Sequence, residues 1–264
     1  MVDGGPGKPG KKRIVILGGG FGGVYAAIHL ERLLARQSAV EICLVSRDNF
    51  FLFTPMLHEI AASDLEITNI VNPLRKMLRK IEVLVGHVDH IDLPNKRVLI
   101  SYGYRNHSLQ IDYDHLVIAL GSITNFYDIP GLADLAIPMK SLRDATQLRA
   151  QIIRHLEEAN SNPADRQSLL TFVVTGGGFA GVETVAALND FVREALPFYP
   201  KLSEGMLRVL LVHSGPVKRR WQTVDNLSSN LSKLPCPLTF CWLGDFENEA
   251  DNANDIVRSI GAED

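Results

Sequence analysis

The sequence has little of what would place it in a membrane, a secretory pathway or a nucleic-acid complex. No uninterrupted apolar run approaches the roughly 18 residues that a spanning helix needs, and the N-terminus lacks the apolar core of a secretion signal. Cysteine is scarce: Cys43, Cys236 and Cys241 are the three in 264 residues, too few for a disulfide framework. Cys43 lies inside an apolar run and reads as a small buried hydrophobe, whereas the Cys236/Cys241 spacing reads as coincidence. Charge of one sign is lacking too. The formal net charge is −3 and the pI about 6.2, so nothing calls for a nucleic-acid partner. The basic cluster Lys8, Lys11, Lys12 and Arg13 sits beside a Gly/Pro stretch, and residues 1–10 read as a solvated leader. His58, His87 and His90 show no metal-ligand spacing and read as surface or structural residues, so no metal site is expected. These absences describe a cytoplasmic chain that does not cross a membrane.

What is present is a repeated pattern. RIVIL (Arg13 to Leu17) is a short apolar strand that runs at once into GGGFGG. A helix with Val24, Ala27, Ile28 and Leu34 at helical spacing follows, and then a second strand, Val40 to Val45. The same order returns at Leu169 to Thr175, GGGFAG, a helix over Val182 to Leu196 and a strand over Leu207 to Val212. Between the two, a helix is expected over Asn69 to Lys80, with Pro73 tolerated near its start, and strands over Glu82 to Val85, Arg97 to Ser101 and His115 to Leu120. Ser141 with Asp144 has the form of a capping box and opens a helix that runs to about Glu158. The fold class expected is α/β, with two Rossmann-like dinucleotide-binding domains of the three-layer ββα type, the second incomplete.

The glycines carry the chemistry. Gly18, Gly20 and Gly23, and again Gly176, Gly178 and Gly181, fit G-x-G-x-x-G between a strand and a helix. The first glycine permits the sharp turn. The second lets backbone approach a diphosphate with no Cβ in the way, and the third lets helix pack closely on sheet. The helix mouth adds unpaired N–H groups and about half a positive charge. One such fingerprint is weak evidence; two in tandem are strong. The acidic ribose anchor expected after the second strand is absent: Ser46 and Arg47 stand in its place, and the second unit offers His213 and Ser214. NADH is therefore not favoured over NADPH by the residues themselves.

Several stretches together resemble one family. KKRIVILGGGFGGVYAA, LVSRDNFFLFTPMLHEIA, VNPLRK, GHVDHIDLPNKRV, YDHLVIALGS and VVTGGGFAGVETVAAL resemble the type II NADH dehydrogenases, single-chain FAD enzymes of the two-dinucleotide-binding superfamily. The resemblance runs from about Lys11 to Pro216, and its most specific pieces are the FxFTPxL loop and the GVE after the second glycine turn. It implies FAD held by Gly18, Gly20, Phe21, Gly22 and Gly23, with Ser46 and Arg47 at the adenosine ribose. It further implies Thr54 and Pro55 near the isoalloxazine ring, Val88 at the adenine, and Ala119 and Gly121 in a turn that touches FAD. Gly176, Gly178 and Gly181 would hold the NADH diphosphate, and Glu183 would act at the nicotinamide and flavin, close to the quinone. The reaction implied is hydride transfer from NADH to flavin, then reduction of a quinone, on the cytoplasmic face of a membrane and with a homodimer as one assembly.

Bland readings stand beside these. Phe50, Phe51 and Phe53 also read as core aromatics, and Glu183 as a carboxylate that complements a helix dipole. The expected domains are an FAD-binding domain over 11–126, an NAD(P)H-binding domain over 127–216 and an atypical tail over 217–264. In the tail no strand is expected to continue the second sheet, and a truncated or frameshifted product is the expectation that explains this. Rival functions are an inactive fragment with partial nucleotide binding, or a ferredoxin- or disulfide-type reductase. The disulfide type carries its cysteine pair on the helix after the first glycine turn, where this chain has none.

Overall fold

The computed structural model describes residues 11–34, 37–126, 131–212 and 239–242. The described residues divide into two compact units. One takes the chain up to Phe53 and again from Ile70 to Ser122; the other takes Thr54–Asn69 and everything from Ile123 onward.

The first unit begins with β1 (Lys12–Leu17), α1 (Phe21–Leu34), β2 (Val40–Ser46) and the short β3 (Phe50–Leu52). The chain then leaves through α2 (Leu57–Ala61) and α3 (Ile67–Ile70). It continues with β4 (Val71–Pro73), α4 (Leu74–Met77), β5 (Glu82–Val85), β6 (His87–Asp92), β7 (Arg97–Tyr102), β8 (His107–Asp112) and β9 (His115–Ile118). A parallel sheet has the order β5-β2-β1-β9, and an antiparallel sheet the order β6-β7-β8. Strand alternation assigns the two faces of the parallel sheet. Ile16 and Leu44 pack with Val24 and Ala27 of α1 on one side. Val15, Leu17, Cys43 and Val45 pack with Val98, Ile100 and Ile111 of the antiparallel sheet on the other. The result is sheet, sheet and helix in three layers, each fully buried aliphatic side chain contributing about 1.5–3 kcal/mol. Burial pushes the Cys43 thiol up to about 12, with Glu82 adding to the effect and Arg13 opposing it.

The helix expected over Asn69 to Lys80 does not form as one piece. Val71–Pro73 pairs antiparallel with Phe50–Leu52, and Leu74 N–H donates to Asn49 O, so the stretch is α3, a strand and α4. Pro73 brings no N–H to a helix, and an edge strand costs it nothing.

The second unit holds α5 (Leu132–Leu135), β10 (Ala136–Pro138), α6 (Leu142–Ser161), α7 (Arg166–Leu169), β11 (Thr171–Thr175), α8 (Phe179–Ala195), β12 (Arg208–Val212) and β13 (Thr239–Trp242). The Ser141–Asp144 capping box forms in full and starts α6. Its parallel sheet runs β10-β13-β11-β12. This corrects the expectation that no strand follows Pro216 in the second sheet, because β13 lies inside it, between β10 and β11. Thr-Phe-Cys-Trp is rich in β-formers but too short to show a period among its polar and proline-rich flanks. Helix α2 belongs to this unit because its apolar face (Leu57, Ile60, Ala61) is buried, and it packs against α6 and α8. Among the described residues no helix is long and apolar enough to cross a membrane.

His155 is buried on α6 beside Phe172, and burial, the larger effect, holds its pKa below the usual histidine value against a hydrogen bond with the Leu169 backbone. The unfolded chain then binds more protons below pH about 6.5, so stability is full above that pH and falls as the pH drops toward the folded-state value. Unfolding midpoints measured from pH 7.5 to 5.5 should decline on the acid side, and His155→Leu should flatten that part of the decline.

Candidate functional site

Each unit presents one glycine turn between its central strand and its long helix. In the first, Gly18 takes φ +110°, where a side chain is strained, and a Cβ there would come within 2.1 Å of Ala119 O. A Cβ on Gly23 would meet Gly18 O at 1.8 Å, so α1 lies on the turn with no room for one. Gly20 is exposed, and a Cβ on it would meet nothing within 4 Å. The second unit repeats this. Gly176 takes φ +113°, a Cβ on Gly181 would meet Gly176 O at 1.8 Å, and Gly178 faces open space. The first and third glycines therefore hold the turn to the helix, and the second leaves its mouth clear.

Helical bonding begins with Val24 N–H to Gly20 O in α1 and with Val182 N–H to Gly178 O in α8. The N–H groups just before those bonds lack an intrahelical acceptor. No side chain caps α8 at Gly178, and neither helix has an acidic residue in its first turn. Both mouths thus keep the positive end of a helix dipole uncompensated, which favours an anion. An open position at each second glycine and an uncompensated helix end suit a dinucleotide diphosphate in both units.

Around the first turn the chain gathers further residues singled out from sequence. Ala119 N–H donates to Leu17 O, and the Ala119 methyl lies 3.5 Å from where a Gly22 Cβ would stand. Gly121 takes φ +76° with open space before it. Phe21 is partly exposed at the start of α1, and it packs edge-on against Phe51 and tilted against Phe53, with ring centroids 4.9 and 5.6 Å apart. Phe51 is therefore core, while Phe53 remains partly exposed. Ser46 is buried, and a Cβ on Gly19 would lie 2.2 Å from its Oγ, so its hydroxyl sits under the turn. Arg47 stands in solvent, 3.7 Å from the Asp48 carboxylate. Val88 is half-buried on β6, where the pairing with β7 shifts register.

The second unit brings together residues that sequence spacing kept apart. Thr54 and Pro55 form an exposed turn that leads into α2, on this unit rather than the first. Glu183 lies in the second turn of α8, half exposed. His58 on α2 reaches it: Nδ1 is 3.9 Å from Glu183 Oε2, and Nε2 is 3.3 Å from Glu59 Oε1. Sequence reasoning read His58 as surface or structural, and no spacing rule links positions 58 and 183. His213 and Ser214 lie outside the described residues, as does Cys236. Among the described residues no group of three or more His, Cys, Asp or Glu is placed to hold a metal ion.

The family model described as "Pyridine nucleotide-disulphide oxidoreductase" matches residues 12–217. The chain is 35% identical over 214 residues to "Type II NADH:quinone oxidoreductase Ndh" of Mycobacterium tuberculosis, covering 79% of this chain and 45% of that protein. It is 33% identical over 216 residues to "External NADH-ubiquinone oxidoreductase 2, mitochondrial" of Saccharomyces cerevisiae, covering 78% and 38%. In fold it is similar to the structure of NDH2 from Plasmodium falciparum in complex with NADH, at TM-score 0.72 and 24% identity, over 88% of this chain and 48% of that one. The chain spans less than half the length of these relatives.

The glycine geometry separates two kinds of substitution. Gly23→Ala and Gly181→Ala place a methyl against backbone carbonyls and should lower the unfolding midpoint by several degrees, on the order of 1–3 kcal/mol for overpacking. Gly20→Ala and Gly178→Ala should leave it nearly unchanged, as differential scanning calorimetry of the four variants would show.

Proposed function

The chain belongs to the pyridine nucleotide-disulphide oxidoreductase family, and from that membership we propose that it is a FAD-dependent oxidoreductase that passes hydride from NADH to the flavin and electrons onward to a quinone. The observation that carries the proposal is the duplicated glycine turn, one per unit, each with open space at its second glycine and an uncapped or acid-free helix mouth behind it. On this reading 11–126, apart from Thr54–Asn69 and the residues from Ile123 on, is built to hold FAD and 127–216 to hold NADH, with Thr239–Trp242 adding β13 to the second sheet.

FAD, when bound, supplies the hydride-accepting and electron-donating chemistry; the chain's own residues bind, orient and exclude water. Gly18, Gly20, Phe21, Gly22 and Gly23 would hold its diphosphate through backbone N–H groups. Ala119 adjoins that turn and, with Gly121 two residues on, would border the same cofactor. Ser46 and Arg47 would serve the adenosine ribose; Arg47, in solvent, is the one free to meet it directly. Val88 would meet the adenine, and Thr54 and Pro55 the ring. Gly176, Gly178 and Gly181 would receive the NADH diphosphate, with NADPH as a second candidate, and Glu183 would act as the carboxylate of the reacting end. A quinone suits the chain better than a disulfide acceptor, since α1 carries no cysteine. Contact with a membrane surface from the cytoplasmic side and assembly as a homodimer belong to the same proposal.

Purified full chain supplied with FAD should turn yellow, bleach anaerobically with NADH and recover its colour with a soluble quinone. Gly20→Ala should lower FAD occupancy, and Gly178→Ala should raise the KM for NADH, each about tenfold for a lost close approach of about 1.4 kcal/mol. Colourless protein that takes up no FAD overturns the proposal.

A further inference from the structure

The contact of His58 with two carboxylates is not used by either glycine turn, and it has a chemistry of its own. Helix α2 is anchored by Leu57, Ile60 and Ala61, whose side chains are buried, and this anchors the backbone that carries the imidazole. Its side chain is 14% exposed, against 32% for Glu59 and 50% for Glu183. A largely shielded imidazole thus stands between a partly shielded carboxylate on its own helix and a half-solvated one on α8. From α6, the other long helix against α2, no ion pair to His58 occurs among the described residues.

Hydrogen-bond capacity then restricts the protons. A neutral imidazole has one N–H and one lone pair, so with both glutamates ionised one ring nitrogen would turn its lone pair toward an anionic oxygen. One added proton removes the conflict, whether it makes an imidazolium or a protonated glutamate. A proton shared among the three side chains would let both ring nitrogens face a carboxylate as donors, and Glu183 is the most exposed of the three.

We propose that His58 is a positioning residue that holds a proton beside Glu183 and returns it to that carboxylate after each turnover. The inference rests on the reading of the chain as an NADH:quinone oxidoreductase, in which Glu183 serves the reacting end. That reaction takes up one proton: NADH, a quinone and H⁺ give NAD⁺ and the quinol. The proton leaves the Glu183 carboxyl for a quinone oxygen, the His58 proton moves to the emptied carboxylate, and a proton from solvent restores His58. No electrons pass through the three side chains. The 3.9 Å separation of Nδ1 from Oε2 is ion-pair distance, and a small swing of the more exposed Glu183 closes it to a hydrogen bond.

The test compares His58→Gln, Glu183→Gln and the double variant in the FAD-loaded full chain, with a soluble quinone. His58→Gln should lower kcat about tenfold, the size typical of losing a supporting partner, while KM for NADH stays within about twofold. The double variant should be no slower than Glu183→Gln alone, because the two residues act in series. As a readout separate from turnover, the unfolding midpoints of the single and double variants should be non-additive, which reports the contact itself. Wild-type kcat in His58→Gln, a loss confined to KM, or kcat losses that multiply in the double variant would each overturn the positioning role. Should the unmodified chain fail to bleach with NADH, the oxidoreductase reading falls and this inference with it; the two failures are told apart by the unmodified chain alone.

Discussion

The structure depends on one close approach made twice: a helix set so tightly on a strand-to-helix turn that a carbonyl oxygen occupies the place of a Cβ. At Gly23 that oxygen is Gly18 O and at Gly181 it is Gly176 O, each at 1.8 Å from where a Cβ would stand. Such an approach fixes where the helix axis points and so where its positive end opens. The left-handed φ of Gly18 and Gly176 is the other half of the same constraint, since the chain must reverse within one residue to enter the helix. The parallel sheets, the placement of Ala119 beside the first turn and the clear space at Gly20 and Gly178 follow from it. A single extra methyl at either third glycine would displace the feature that gives the turn its use.

Most of this was legible in the sequence because it is local. An apolar strand, a glycine run and a helical period within about 25 residues are enough to specify strand, turn and helix, and the Ser141–Asp144 box marked the start of α6. Three things were not legible. Asn69 to Lys80 has helical spacing, yet the edge pairing of Val71–Pro73 with Phe50–Leu52 satisfies backbone groups that Pro73 would have left open in a helix. Thr239–Trp242 is too short for a period and shows itself as a strand through its parallel pairing with β10 on one side and β11 on the other. The third is the allegiance of Thr54–Asn69, which sequence order puts with the first unit and the buried face of α2 puts with the second.

The same divide runs through the site. The glycine positions are properties of a short stretch of chain, so spacing alone finds them. His58 is different, because its significance comes from Glu183, a residue 125 positions along the chain and brought near by helix packing. No period or motif in a single sequence encodes such a contact. Spacing reads His58 as a surface or structural residue, and only helix packing reveals the two carboxylates near its ring nitrogens.

The missing ribose acid has a physical reason in the first unit. Ser46 is buried with its hydroxyl against the Gly19 turn, at a point where even a glycine's added Cβ would come within 2.2 Å of it. A glutamate at this position would have to bring a longer, charged side chain beneath the turn, at a desolvation cost of several kcal/mol unless it swung out to solvent. Serine therefore fits as a packing residue, and the outward-facing role at the end of β2 passes to Arg47, which Asp48 partly neutralises. For a dinucleotide bound to this unit, affinity would then come chiefly from the turn's backbone and the helix dipole, both of which act on the diphosphate, and little from a charged grip on the ribose. Such binding would be sensitive to the glycines and tolerant at position 47, a division of labour that follows from the geometry under Gly19.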